Sequence, residues 1–297
     1  MRQQTIKDLN IEMLPVPAGS FQRDEGKENI SVITKPYSLS KYPITRQQFF
    51  DVMGEDPSDT RFSSGSMNEP VQMINWYHAI AFCNKVSISE GLSPAYSVKK
   101  YGQELDWKNL VIDDIPDIPP GYDVNESELY YGDMDWNAAT CDWESSGYRL
   151  PTEMEWMWAA MGADKDARDG AIDADGINRT GSRKPFSGST GTDSIDDYAW
   201  YDGNSDGKTH PVGEKLPNEL GLHDMSGNVN EWCWDWYKPY PTGTKTDYRG
   251  AGSGTYRVRC GGTWDNTAHS SPIANRFNGY SFIQSYYNGF RVLRPVL

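Results

Sequence analysis

Two stretches of this chain carry a sustained helical period, and each opens on a capping signal. The rest is broken every few residues by glycine, proline or a run of small polar residues. The first stretch opens at Asn75, where Trp76, Ala79, Ile80, Cys83 and Val86 recur at three- and four-residue spacing. That spacing predicts a helix with one apolar stripe turned to a core, ended by Gly91. The second opens at Thr152, which forms a Thr-x-x-Glu capping box with Glu155 and starts a helix to about Met161, Trp156, Ala159 and Ala160 facing inward. A shorter helix over about 46–53 follows the hydroxyl of Thr45. With 28 Gly and 18 Pro as breaks, and 11 Trp and 18 Tyr as contact area, the expectation is a loop-rich α+β fold. Well under half of it would lie in regular elements.

No internal repeat or linker appears, so residues 1–297 are expected to form one domain. Strand-like pieces occur at Met13–Val16 and 31–34. Segments around 232–236, 257–261 and 289–293 predict a small antiparallel sheet. Residues 97–147, with Asp113, Asp114, Asp117 and the Pro119–Pro120 pair, read as an acidic insertion carrying a short hairpin, and 164–210 as Gly/Asp/Ser-rich loop.

The net charge of −14 argues against nucleic acid, which needs a basic face that releases counterions. No apolar run approaches the ~20 residues of a membrane span. Met1-Arg2-Gln3-Gln4 lacks the apolar stretch of a secretory signal, which leaves open a cytosolic protein and one whose leader is absent. Cys83, Cys141, Cys233 and Cys260 are widely separated with no CxxC, and two disulfides or four buried thiols both remain open.

The C-terminal segment is different in chemistry. Gly261-Gly-Thr-Trp264 opens it and Gly289-Phe-Arg291 closes it, and between them only Asp265 and Arg276 carry charge, where the chain as a whole is 24% charged. Rigid aromatics mixed with Ser, Asn and Gly make up an antibody paratope. A polar, aromatic-rich loop covering a core would read the same way.

Several segments in order resemble the formylglycine-generating-enzyme-like (sulfatase-modifying-factor) family, an elaborated C-type lectin fold. They are Met13-Leu-Pro-Val-Pro-Ala-Gly-Ser-Phe21, Lys41-Tyr-Pro-Ile-Thr45, the run from Pro70 to Cys83, and Tyr148-Arg-Leu-Pro-Thr-Glu-Met-Glu-Trp156. His210-Pro-Val-Gly213, the run from Asn218 to Trp232, Gly261-Gly-Thr-Trp264 and Gly289-Phe-Arg291 complete the set. The resemblance implies small antiparallel sheets and two principal helices. It also implies two catalytic cysteines a few residues past the Gly-Gly pair, positions that fall here at Asn266 and Ser271. Neither has a thiol to bind copper or form a mixed disulfide, so no catalytic residue is assigned. His78, His210, His223 and His269 show no HxxxH or HExxH spacing. A formylglycine-type oxidase with another catalytic set stands as the alternative. A calcium-dependent sugar lectin stands behind it, because neither EPN nor QPD occurs.

The same resemblance implies a structural Ca²⁺ held by the carboxylates of Asp224 and Glu231 and the carbonyls of Gly227 and Val229. The competing reading is that Asn228 and Glu231 hydrogen-bond the turn backbone. No other cofactor is required.

Gly-Gly-Thr-Trp, Ala274-Asn-Arg276, Asn288-Gly-Phe-Arg291 and the early stop after them further resemble the variable proteins of diversity-generating retroelements, which are rewritten at template adenines. Asn codons changed at their two adenines never reach Lys, Glu, Gln, Met or Trp. Residues 265–288 contain none of these except Gln284. This resemblance implies variable ligand contacts at Asp265, His269, Ser270, Phe277, Tyr280, Ser281, Phe282, Ser285, Tyr286 and Tyr287. Asn266, Asn275 and Asn288 are either unmutated or structural. Gly261, Gly262, Trp264, Arg276, Gly289, Phe290 and Arg291 would form the frame. The implied function is non-enzymatic binding of a ligand, a protein on another cell or host or another surface ligand, at the cell surface or outside it. A lipid anchor on an absent leader and a monomeric state belong to the same expectation.

Overall fold

The computed structural model describes residues 9–117 and 132–296. Each long helix sits at the centre of its own buried cluster. Helix α1 (Arg46–Met53) takes its capping box from Thr45 and Gln48, and ends where Gly54 turns left-handed at φ 89°. Helix α2 (Trp76–Ser89) is capped reciprocally by Asn75 and His78, whose Nδ1 accepts the Asn75 N–H. The single stripe expected of α2 is corrected: only Lys85, Ile88 and Ser89 escape full burial. Phe49, Tyr96, Trp136, Trp232 and Phe290 join the same cluster as α2 and enclose it.

The insertion accounts for part of that enclosure. Its hairpin pairs Lys99–Lys100 with Gln103–Glu104, turning at the exposed Tyr101. The short helix α3 (Met134–Asn137) buries Trp136 completely, and Trp107, Leu110 and Ile115 are core as well. A stretch that reads as acidic loop thus supplies large apolar groups, each worth roughly 2 kcal/mol on burial. Its middle, 118–131, lies outside the described residues.

Helix α4 (Glu153–Ala160) begins where the sequence marks it. The Thr152 hydroxyl accepts the Glu155 N–H at 3.2 Å, and the Glu155 carboxylate accepts the Thr152 N–H at 2.8 Å. Its Trp156, Trp158 and Met157 anchor the second cluster with Phe21, Leu39, Val258 and Cys260.

The sheet nearest the C-terminal segment orders its strands as Phe277–Gly279, Arg257–Cys260, Asn230–Trp236 and Asn288–Gly289. The first two pairings are antiparallel, but Asn288–Gly289 runs parallel to Asn230 and Glu231. Residues 289–293 are therefore not one strand of one antiparallel sheet. Phe290, Arg291 and Val292 cross, fully buried, into a three-stranded sheet, where Leu293–Pro295 pairs with Tyr37–Ser40. That crossing ties the chain end to both sheets. The remaining four-stranded sheet joins Gly19–Gln22 and Ile30–Ile33 to Ile177–Asn178 and Lys245–Thr246.

Candidate ligand-binding face

Residues 261–291 are fixed at their ends and middle by groups the segment does not supply. At its start Gly261 and Gly262 take φ of 97° and 78°, a left-handed backbone that a side chain would strain. The Gly261 carbonyl accepts the Gly227 N–H at 2.8 Å, and the Trp264 N–H reaches the Asn228 carbonyl at 2.9 Å. At its end a Cβ on Gly289 would lie 2.9 Å from the Val71 carbonyl and 2.7 Å from a Val229 methyl, so only glycine passes. Phe290 packs edge-on against Phe82 and Phe49. Arg291, fully buried, donates to both carboxylate oxygens of the equally buried Glu231 at 2.6 and 2.7 Å. In the middle, Arg276 forks onto Glu153 of α4 and lies 4.0 Å from the centre of the Tyr240 ring.

Between these anchors the ten expected contacts divide. Asp265 and His269 are exposed, while Ser270, Phe277, Tyr280, Ser285, Tyr286 and Tyr287 are partly so. Ser281 and Phe282 are corrected: they are 0% and 1% exposed. The Ser281 hydroxyl bonds the Tyr77 hydroxyl and the Asn137 amide oxygen, and its carbonyl accepts the Trp76 N–H that opens α2. The Phe282 ring lies in the α2 cluster. Both belong to the support and not to the surface. Asn266 and Asn288 are likewise structural: Asn266 Oδ1 accepts the Thr263 N–H at 3.0 Å, and Asn288 is fully buried.

One cluster of rings gathers Trp264, Tyr286 and Tyr287 with a residue far away in sequence, Phe62. Phe62 stacks on Tyr286 at 4.1 Å and on Trp264 at 5.6 Å, and the Tyr287 hydroxyl donates to Asp265 at 2.8 Å. Burial and these hydrogen bonds raise the pKa of Tyr287, keeping it a donor. Loop 202–209 braces the patch, since the Ser205 hydroxyl donates to the Trp264 carbonyl and the Thr209 N–H to the Phe62 carbonyl. Phe62 sits in a three-residue turn without periodicity, so nothing in the sequence marks it. Stacked and tilted rings make a rigid amphipathic contact area.

The implied calcium site does not fit the residues present. Both oxygens of Glu231 are occupied by Arg291, and Oε2 also accepts the Trp156 indole N–H at 2.6 Å. A buried guanidinium thus holds the carboxylate that would meet the cation. Asp224 accepts the Gly213 N–H and the Asn228 amide, and burial raises its pKa, which disfavours the anion a calcium ion needs. The Gly227 N–H donates to the Gly261 carbonyl, and Val229 is buried against Gly289. Asn228 does bond backbone, at the carbonyl and N–H of His210. Among the described residues no group of three or more His, Cys, Asp or Glu could hold a metal ion.

Among the described residues no histidine or cysteine is paired as base with nucleophile. His78 caps α2, and burial pulls its pKa down to about 4. His210 stacks on Trp200 at 3.7 Å, His223 faces the Lys215 carbonyl, and His269 is exposed. Cys83, Cys233 and Cys260 are buried thiols and Cys141 is partly buried. Cys233 and Cys260 lie 3.9 Å apart, and burial pushes both thiols up, away from the reactive thiolate.

A family model for the sulfatase-modifying factor enzyme 1-like domain matches residues 2–296. Among solved structures, Treponema denticola variable protein 1 superposes with a TM-score of 0.79 at 34% identity, covering 96% of this chain and 95% of that one. The chaperone protein LppX of Paenibacillus barcinonensis is 30% identical over 91% of this chain and 83% of its own length. The formylglycine-generating enzyme of Thermomonospora curvata is 35% identical, but over 44% of this chain and 43% of the enzyme. The chain thus matches under half the length of that enzyme.

Proposed function

The chain belongs to the sulfatase-modifying factor enzyme 1-like family, and from that premise we propose that it is a non-enzymatic ligand-binding protein whose face is residues 265–287. One observation carries the reading: the segment is immobilised by Gly261, Arg276 and Arg291 while Asp265, His269, Tyr286 and Tyr287 reach solvent between them. A fixed backbone with projecting side chains tolerates replacement of those side chains without loss of the fold. The likeness to a variable protein supports extending this to diversification by a retroelement, with template adenines as the sites of change. The partner is a protein, met at the cell surface, where a lipid anchor would hold the chain. No cofactor takes part. Asn266 and Ser271 stand where the oxidases of this family need thiols, which supports binding over oxidation.

Deep sequencing of the gene in a population grown from one cell tests the reading. Substitutions are expected only at adenine-derived positions within codons 265–287, with the codons for Gly261, Arg276 and Arg291 unchanged. An even scatter along the gene would overturn diversification. Conversion of a cysteine peptide to a formylglycine product with copper present would overturn the non-enzymatic reading.

A further inference from the structure

Arg259 stands out at this face because it is a charge without a counter-charge among the described residues. It lies in the strand Arg257–Cys260, directly opposite Phe277 of the segment and Trp232 of the neighbouring strand. Its guanidinium donates from Nη1 to the Asn288 side-chain oxygen and from Nη2 to the Asn278 carbonyl, both neutral. Nε meets no acceptor among the described residues. No carboxylate among them lies within ion-pair distance of it, and desolvation pulls its pKa down to about 10. Arg257, two residues earlier, also lacks a carboxylate, but it is sealed between Trp76 and Trp236 at 3.7 and 3.5 Å. Arg259 keeps partial exposure. Each of its two terminal nitrogens carries a second N–H beyond those bonds, so the group keeps donors for a further acceptor.

Resting on the reading of 265–287 as the ligand face, we infer that Arg259 is a fixed anchor in that face for an acidic side chain of the protein partner. Because it precedes the Gly-Gly pair, every variant of the segment would keep it. The variable side chains would then select among partners that share a carboxylate at this point. The chain's net charge of −14 opposes approach of an acidic partner, so the pairing acts in the docked complex and is read in dissociation.

The test is selection of a random dodecapeptide phage library on the immobilised full chain. Arg259→Gln and Arg259→Lys are run in parallel after urea denaturation has shown them folded. Peptides whose binding is lost in Tyr287→Ala are expected to carry Asp or Glu at a common position. Replacing that residue by its amide should weaken binding to the unaltered chain about tenfold, and to Arg259→Gln hardly at all. Face-dependent peptides without an acid, or an amide replacement equally costly on Arg259→Gln, would overturn the inference and leave the face reading standing. Peptides indifferent to both Tyr286→Ala and Tyr287→Ala, or no peptides at all, would overturn the face reading and the inference with it. If both Arg259 variants misfold, an amide replacement that weakens binding to the unaltered chain by less than about twofold still overturns the inference.

Discussion

Arg276 and Glu153, 123 residues apart in sequence, form a two-pronged ion pair beneath the rings of Tyr240 and Tyr237. The pair joins the middle of the C-terminal segment to the first turn of α4, which divides a long polar loop into two shorter spans. Glu153 is 3% exposed, so removing its partner strands a buried carboxylate. Arg276→Ala should therefore lower stability by about 3 kcal/mol in urea denaturation. Arg276→Lys should recover only part of that, because an ammonium lacks the planar fork. A loss under about 1 kcal/mol for the alanine variant would mean the segment is not anchored there.

Burial predicts that aromatic residues of one segment will respond differently to truncation. Phe282→Ala empties a site in the α2 cluster and should cost about 3 kcal/mol or more. Tyr287→Ala removes a partly exposed ring and one bond to Asp265, and should cost under about 1 kcal/mol. Thermal or urea unfolding of the two variants checks this. Similar losses at both positions would remove the distinction between support and surface on which the binding reading rests.

The parts of this fold written in local chemistry are legible in the sequence. Thr45, Asn75 and Thr152 each announce a helix that forms, because a cap is settled within four residues. Frame residues Gly261, Arg276 and Arg291 are likewise found where their motifs put them. Long-range pairings are not legible. Nothing local tells that Gly289 runs parallel to Glu231, that Phe62 reaches Tyr286, or that Trp136 leaves an acidic stretch for the core. Ser281 and Phe282 show the limit most directly: they share the composition of their exposed neighbours, and only the packing of α2 turns them inward. Arg259 escapes notice for the opposite reason, since an arginine in a strand says nothing until the described residues around it prove to offer no carboxylate.

The pairing of Arg291 with Glu231 makes a prediction about metal. With both carboxylate oxygens held by a guanidinium, millimolar calcium or EDTA should leave Tm unchanged within about 1 °C. Scanning calorimetry in the two buffers decides it. A rise of several degrees with calcium would mean that a cation binds the folded chain and that Glu231 or Asp224 is free to meet it. Glu231→Gln should instead destabilise by about 3 kcal/mol with or without calcium, since it leaves Arg291 charged and unpaired in the core.

Asp235 sets the pH response. It is 2% exposed; its Oδ2 accepts the Glu153 N–H at 2.8 Å, and Oδ1 meets no donor among the described residues. Burial first, and the neighbouring Glu153 charge second, push its pKa up to about 8. In the unfolded chain the same carboxyl titrates near ~3.9. Between those values the folded state holds a proton that the unfolded state has released, so this group's contribution is full at low pH and is lost as pH rises toward 8. His78 acts in the opposite sense: its pKa, lowered to about 4, makes stability fall as pH drops below the ordinary histidine value of ~6.5. The two slopes oppose each other between about pH 4 and 6.5. Above that window Asp235 acts without His78. Stability should therefore fall by at least about 1 kcal/mol from pH 6.5 to pH 8, read from urea midpoints at fixed salt. Asp235→Asn, which keeps the shape and removes the titration, should flatten that interval. If the unaltered chain is already flat from pH 6.5 to 8, Asp235 is ionised in the folded state and Arg276 must be neutralising both it and Glu153.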